Sequence, residues 1–360
     1  MRNFARTLRI NLSLIVLIAI VTELIFGGWI GTNYGLLIIP KNFYRKFDVS
    51  HLYDNNGEAI YYKRDKHGLR GEYGAPSKID ILTIGGSTTD ELFIDEGKTW
   101  SDTIARFFAM ENKKITVANA GVGGQTTVGH SIIFEQWFPI IPDMKVRYVL
   151  AYIGINDIAL LDDTLDDIQY LDSIQEENKK VKQYLLNNSA LYTLLRNLRG
   201  MVRARSANLI HNEENWDGSQ WTEPPKQPDI DKFIRNHAPA LNAYGVRIKH
   251  LAQIIHNFGA KPIFVTQNNG KYRIRKGKVY LAPRKDGTLN YTDYIMMAAM
   301  ARVTMKTCQV IDAICIDIAN ELFFVDGDHY DGIHTTPTGS EKIGRYLHSK
   351  LKDIIPATDS

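Results

Sequence analysis

Five short runs of apolar, largely β-branched residues recur along the chain, and no other feature restricts its fold as tightly. They are IDILTIG at 79–85, ITVANAG at 115–121, RYVLAYIG at 147–154, KPIFVTQ at 261–267 and VIDAICIDI at 310–318. Each of the first four is followed by a stretch with helical spacing, such as TWSDTIARFFAM after the first and LNYTDYIMMAAMARVTM after the fourth. Strands that are apolar on both faces and alternate with helices make a parallel sheet covered on both sides. The expectation is an α/β domain around a five-stranded parallel sheet.

At 360 residues, 44% of them hydrophobic, the chain can bury one large core. Its 43 basic residues against 40 acidic ones leave a net charge of +3, which does not imply a nucleic-acid partner. Cys308 and Cys315 are too few for a disulfide scaffold and do not form a CxxC zinc pair. A single disulfide between them and two buried thiols are both open. No internal repeat or low-complexity run is present, and the sequence does not fix an oligomeric state.

The N-terminus carries Arg2, Arg6 and Arg9 and then INLSLIVLIAIVTELIFGGWI, whose only charge is Glu23. About 20 such residues span a bilayer core as a helix. The expectation is an N-terminal transmembrane anchor at 1–30, touching the membrane through 10–30. The flanking arginines would keep the N-terminus cytoplasmic and put the rest of this single-pass chain outside, on a periplasmic or extracellular face. A cleaved signal peptide is the rival reading, but no small-x-small site follows cleanly. Glu23 counts against a span, at about 2–3 kcal/mol near the bilayer centre. Residues 31–77 read as a stem and lead-in, with EAIYYKR at 58–64 pairing as a hairpin strand near KHGLRG. The main domain is expected at 78–355, with a charged, helical insertion at about 159–236.

In open parallel sheets, ligands bind beyond the carboxyl ends of the strands. Here every strand end carries polar or glycine chemistry: Gly85-Gly86-Ser87-Thr88-Thr89, Asn119 to Thr126, Gly154-Ile155-Asn156-Asp157, Gln267-Asn268-Asn269, and DGDHYDGIHTTPTG after the fifth. Each alone has a plain reading. Gly-Gly-Ser is a good turn, Asn156-Asp157 can cap a helix, and Gly123-Gly124 can be a tight bend, since no P-loop lysine follows. His334 beside His329, Asp326, Asp328 and Asp331 could be a metal cluster, but these residues crowd one loop and have no complementary ligand set.

Taken in order, Ser87, Gly124, Asn156 and the Asp331/His334 pair resemble the four blocks of the SGNH hydrolases, also called the GDSL esterase/lipase family. The resemblance covers about 78–350 without the insertion and implies a flavodoxin-like three-layer α/β/α fold. It implies Ser87 as nucleophile, His334 as the base and Asp331 as its partner. The backbone N–H groups of Ser87 and Gly124 and the Asn156 amide would be the oxyanion hole. One position departs from the family pattern: the usual Asp before the serine is Gly86, a GGST form that membrane-anchored relatives share. The resemblance calls for no metal or organic cofactor.

The activity so implied is hydrolysis of an O-acyl ester, first an O-acetyl ester of an envelope glycan or lipid, through a Ser87 acyl-enzyme. An O-acyltransferase with the same site, a lysophospholipase-like lipase and an inert anchored binding protein are the alternatives. The run KYRIRKGKVY at 271–280 follows the fourth strand and puts Arg273, Arg275 and Lys276 on the same rim. It reads either as a solvated hairpin edge or as a positive rim for an anionic glycan or lipid.

Overall fold

The computed structural model describes residues 2–27, 39–161, 189–192, 195, 220–283, 288, 289 and 291–356. They fall into two compact units, Met1–Ile38 with Leu165–Ile210, and Ile39–Thr164 with His211–Ser360. Of the insertion expected at about 159–236, residues 162–188, 193, 194 and 196–219 lie outside the described residues.

In the first unit, helix α1 runs Arg2–Phe26. Among the described residues no helix is long and apolar enough to cross a membrane. This overturns the expected transmembrane anchor and its single-pass topology; the placement outside the cytoplasm rested on that anchor and falls with it, and membrane contact through 10–30 is not shown. The uninterrupted apolar run within α1 is only 14–21, which at 1.5 Å per residue reaches about 12 Å against a hydrocarbon core of about 30 Å. Thr22 and Glu23 close the run. The Glu23 carboxylate accepts hydrogen bonds from Ser189 Oγ at 2.6 Å and from the N–H groups of Ala190 and Leu191 at 3.1 Å. Glu23 therefore caps another segment of polypeptide.

The second unit holds the parallel sheet. An antiparallel hairpin comes first, β1 (Phe43–Phe47) against β2 (Ile60–Arg64). The 58–64 run thus supplies a hairpin strand just before KHGLRG, with Phe43–Phe47 as its partner. Five strands follow, β3 (Ile79–Gly85), β4 (Val117–Asn119), β5 (Val146–Tyr152), β6 (Lys261–Val265) and, last in the chain, Ile314–Ile316. Between the last two lies a second hairpin, β7 (Tyr272–Arg275) with β8 (Lys278–Leu281), so Ile314–Ile316 is β9. The sheet order β4-β3-β5-β6-β9, parallel throughout, is that of flavodoxin-like folds. All five expected strands form, and all five lie in this one sheet.

The helices of this unit are α2 (Ser87–Asp90), α3 (Trp100–Met110), α4 (Thr127–Gln136), α5 (Ile230–Asn236), α6 (Ala238–Asn257), α7 (Thr292–Cys308), α8 (Ile318–Glu321) and α9 (Pro337–Leu351). Ile81 of β3, Tyr148, Leu150 and Tyr152 of β5, and Ile263 and Val265 of β6 share one core with α3 and α9. The alternate residues Val149, Ala151 and Phe264 are buried as well, while α6 and α7 pack together and against β6 and β9. Both faces are therefore covered, which is why the strands read as unbroken apolar runs. A disulfide joins Cys308, the last residue of α7, to Cys315 in β9.

Candidate active site

Because β3 lies between β4 and β5, with Thr83 opposite Asn119 and Gly85 opposite Tyr152, its end meets the ends of both neighbours. The chain leaves β3 at Gly85, passes Gly86 and starts α2 at Ser87. The Ser87 N–H is the first of a helix and has no carbonyl of its own helix to bond. Asn156 opens a 3-10 turn after β5, and Gly124 sits before α4 with φ +75, a left-handed conformation that glycine takes without strain.

The loop between α8 and α9 brings the last two candidates. His334 Nε2 lies 2.7 Å from Ser87 Oγ, and His334 Nδ1 lies 2.7 Å from Asp331 Oδ2. Asp331 Oδ1 accepts the backbone N–H groups of Ile333 and His334 at 2.7 and 2.5 Å. With the carboxylate accepting from Nδ1, the Nε2 lone pair is turned to the Ser87 hydroxyl and can accept its proton. Burial alone would push the Asp331 carboxyl up. The hydrogen bond from His334, its charge and the two N–H donors outweigh burial and hold Asp331 below the usual carboxylate range. The Tyr330 ring lies nearly parallel to the His334 imidazole, 12° between planes at 5.7 Å.

His329 is a different kind of histidine. Burial, helped by the Arg273 charge, pushes its pKa down to about 3, so it stays neutral. Among the described residues no group of three or more His, Cys, Asp or Glu is placed to hold a metal ion.

Gly86 is explained by space, not by unusual dihedrals. Its φ is −82, open to any residue, but a Cβ there would stand 2.1 Å from Asn156 Nδ2. The missing side chain lets the Asn156 amide close against the serine turn, where it donates to Gln125 O at 2.9 Å.

Three further residues tie the site together. Gln267, at the end of β6, donates from Nε2 to Thr88 Oγ1 at 2.8 Å and accepts the Ile155 N–H at 2.7 Å. One buried amide thus joins the neighbours of Ser87 and Asn156. Glu91, at the end of α2 with φ +50, accepts from Trp100 N at 2.8 Å and from Thr335 Oγ1 at 3.1 Å. Arg64 of β2 reaches Asp90 Oδ1 at 2.7 Å and the Gly121 carbonyl at 2.5 Å. Gln267 stood out only as part of a polar strand end; nothing in the sequence around Glu91 or Arg64 signals a role, because their partners lie on other elements.

The three cations after β6 separate. Arg273 is buried, 3.2 Å from Asp326 Oδ1 and 4.1 Å above the Trp221 ring. Arg275 lies over Phe323 at 5.1 Å, and Lys276, with φ +50, forms the exposed turn between β7 and β8 with Gly277. Arg273 therefore faces the protein, while Arg275 and Lys276 face solvent.

A model of the GDSL-like lipase/acylhydrolase family matches residues 83–342, which spans every candidate block from the β3 end to His334. The chain belongs to this family. As a GDSL-type protein it is an ester-hydrolysing serine hydrolase. No curated protein sequence matches it. Among solved structures it is similar to a catalytic mutant of Axe2, an acetylxylan esterase from Geobacillus stearothermophilus, at 14% identity and TM-score 0.42, covering 80% of this chain and 100% of that one. It is also similar to TesA, at 14% and 0.40, covering 76% and 98%. A third is a putative acylhydrolase from Bacteroides fragilis NCTC 9343, at 12% and 0.38, covering 79% and 93%. At such scores these likenesses say nothing of the substrate.

Proposed function

We propose that this GDSL-type hydrolase cleaves an O-acyl ester, first an O-acetyl ester of a glycan, through an acyl-enzyme on Ser87. The observation that carries the reading is the continuous hydrogen-bond line Asp331–His334–Ser87, 2.7 Å at each step. His334 takes the Ser87 proton as the oxygen attacks the acyl carbon and returns it to the leaving alcohol. Asp331 fixes the ring tautomer and stabilises the imidazolium. Water, deprotonated by the same imidazole, then releases the acid and regenerates Ser87. The N–H groups of Ser87 and Gly124 and the Asn156 amide stabilise the oxyanion in both steps.

Support for a bulky alcohol portion comes from Gly123 and Gly124, which are exposed beside Ser87 and leave that approach open. The exposed Arg275 and Lys276 favour an anionic glycan over a neutral one. A lipid ester is the second reading, favoured by the apolar cluster that holds Ile155, next to Asn156, and Ile333, next to His334. A series of aryl esters of rising acyl length separates the two. Rates that fall beyond acetyl, together with acetate release from acetylated oligosaccharides, fit the first reading. Rates that climb with chain length would replace it by the second, and ester formation on an added sugar acceptor would make the protein a transferase.

A further inference from the structure

Asn156 and Gly124 come from different loops, and a third element fixes how far apart they lie. Asp157, the residue after Asn156, turns its carboxylate to the first turn of α4. Thr127 donates to it from the backbone N–H, at 3.2 and 3.1 Å to the two oxygens, and from Oγ1 at 2.5 Å. Residues 124–126 immediately precede Thr127, so this contact ties the Asn156 turn to the Gly124 loop. The tie has a lock. Arg247, in the middle of α6, donates from Nε to Thr127 Oγ1 at 2.7 Å and from Nη2 to Asp157 Oδ1 at 3.3 Å. Arg247, Asp157 and Thr127 are 3%, 1% and 0% exposed. Burial by itself pushes the Asp157 carboxyl up, and Arg247 is the largest opposing influence.

We infer that Arg247 is a positioning residue for the oxyanion hole, holding Asp157 and Thr127 together so that the Asn156 amide and the Gly124 N–H converge on one point. These guanidinium bonds go to Thr127 and Asp157, neither of them a group assigned to the reaction. It acts through Asp157 on Asn156 and through Thr127 on the loop before α4. A planar cation suits the place because its fork reaches a hydroxyl and a carboxylate at once. The inference rests on the acyl-enzyme reading and adds to it a residue 91 positions beyond Asn156 in the chain.

The test is a double-mutant cycle on the full chain with a small aryl acetate, reading kcat, KM and thermal midpoint together. Loss of one oxyanion donor costs about 10²–10³ in kcat, so Asn156→Ala sets the scale. Arg247→Met should lower kcat by about 10–100-fold with KM within about twofold, because misplaced donors fail chiefly as charge develops. In the Asn156→Ala background the same change should lower kcat by less than about threefold, because its main target is already gone. Losses that multiply in the combined variant, or a lowered thermal midpoint with unchanged kcat, would overturn the inference. If Arg247→Met does not fold, Arg247→Lys and the neutral pair Arg247→Met with Asp157→Asn run the same cycle under the same criteria. Ser87→Ala is the parallel control: full activity there would sink the acyl-enzyme reading itself, a result distinct from either outcome for Arg247.

Discussion

Arg64 and Asp90 form an ion pair at 2.7 Å, with side-chain exposures of 3% and 13%, and it joins the hairpin ahead of the sheet to the helix that begins at Ser87. Tyr62 OH donates to the same Asp90 oxygen at 2.8 Å. Arg70 adds hydrogen bonds to the carbonyls of Asp90 and Glu91. The helix that begins at Ser87 is only four residues long, too short to hold its own position, and residues 60–70 grip its far end.

Removing that grip should be costly. Arg64→Met leaves Asp90 buried without its cation, a change that destabilises by about 3–5 kcal/mol. Urea unfolding should show this loss, and adding Asp90→Asn should recover part of it. A loss below about 1 kcal/mol would mean that the pair is solvated in practice.

The space at Gly86 gives a prediction about catalysis. Gly86→Ala should displace the Asn156 amide and lower kcat by about 10–100-fold with little change in KM, as expected for a group that works only in the transition state. A variant with wild-type kcat would show that Asn156 moves aside without consequence.

Glu91 gives a pH prediction. Burial pushes its pKa up from 4.5 to about 8, against the opposing bonds from Trp100, Ser340 and Thr335 and the Arg70 charge. The folded state therefore holds the neutral acid. Its contribution to stability is fully present below pH 4.5 and is lost as pH rises through about 8. Glu91→Gln keeps a neutral group that can accept from Trp100 and donate to Thr335. Thermal midpoints measured from pH 5 to 9 should fall more steeply for the wild type than for this variant. Parallel curves would show that Glu91 does not titrate in that window.

The sheet was legible because strands buried on both faces leave unbroken apolar runs, although β4 and β9 are shorter than their runs suggest. The candidates Ser87, Gly124 and Asn156 were legible because they follow strand ends, where the topology gathers them, whereas Asp331 and His334 come from the loop between α8 and α9. Other features depend on partners that local pattern does not reveal. Hydropathy alone read residues 10–30 as a span and could not show Glu23 bonded to 189–191. Arg273 reads as one cation of a solvated run, yet Trp221 and Asp326 cover it. Arg64, Gln267 and Arg247 are ordinary residues by type, and only burial beside the site gives them a role. The glycine before Ser87 was visible, but its reason, room for the Asn156 amide, required three-dimensional proximity.

The chemistry proposed for this chain turns on the assignment of Ser87 as nucleophile and His334 as its base. Fluorophosphonate labelling followed by peptide mass mapping tests it most directly. One phosphonylated residue is expected, Ser87, with labelling slowed by about 10³-fold or more in His334→Ala and absent in Ser87→Ala. Label on another residue, or a Ser87→Ala protein that still hydrolyses esters at the wild-type rate, would contradict it.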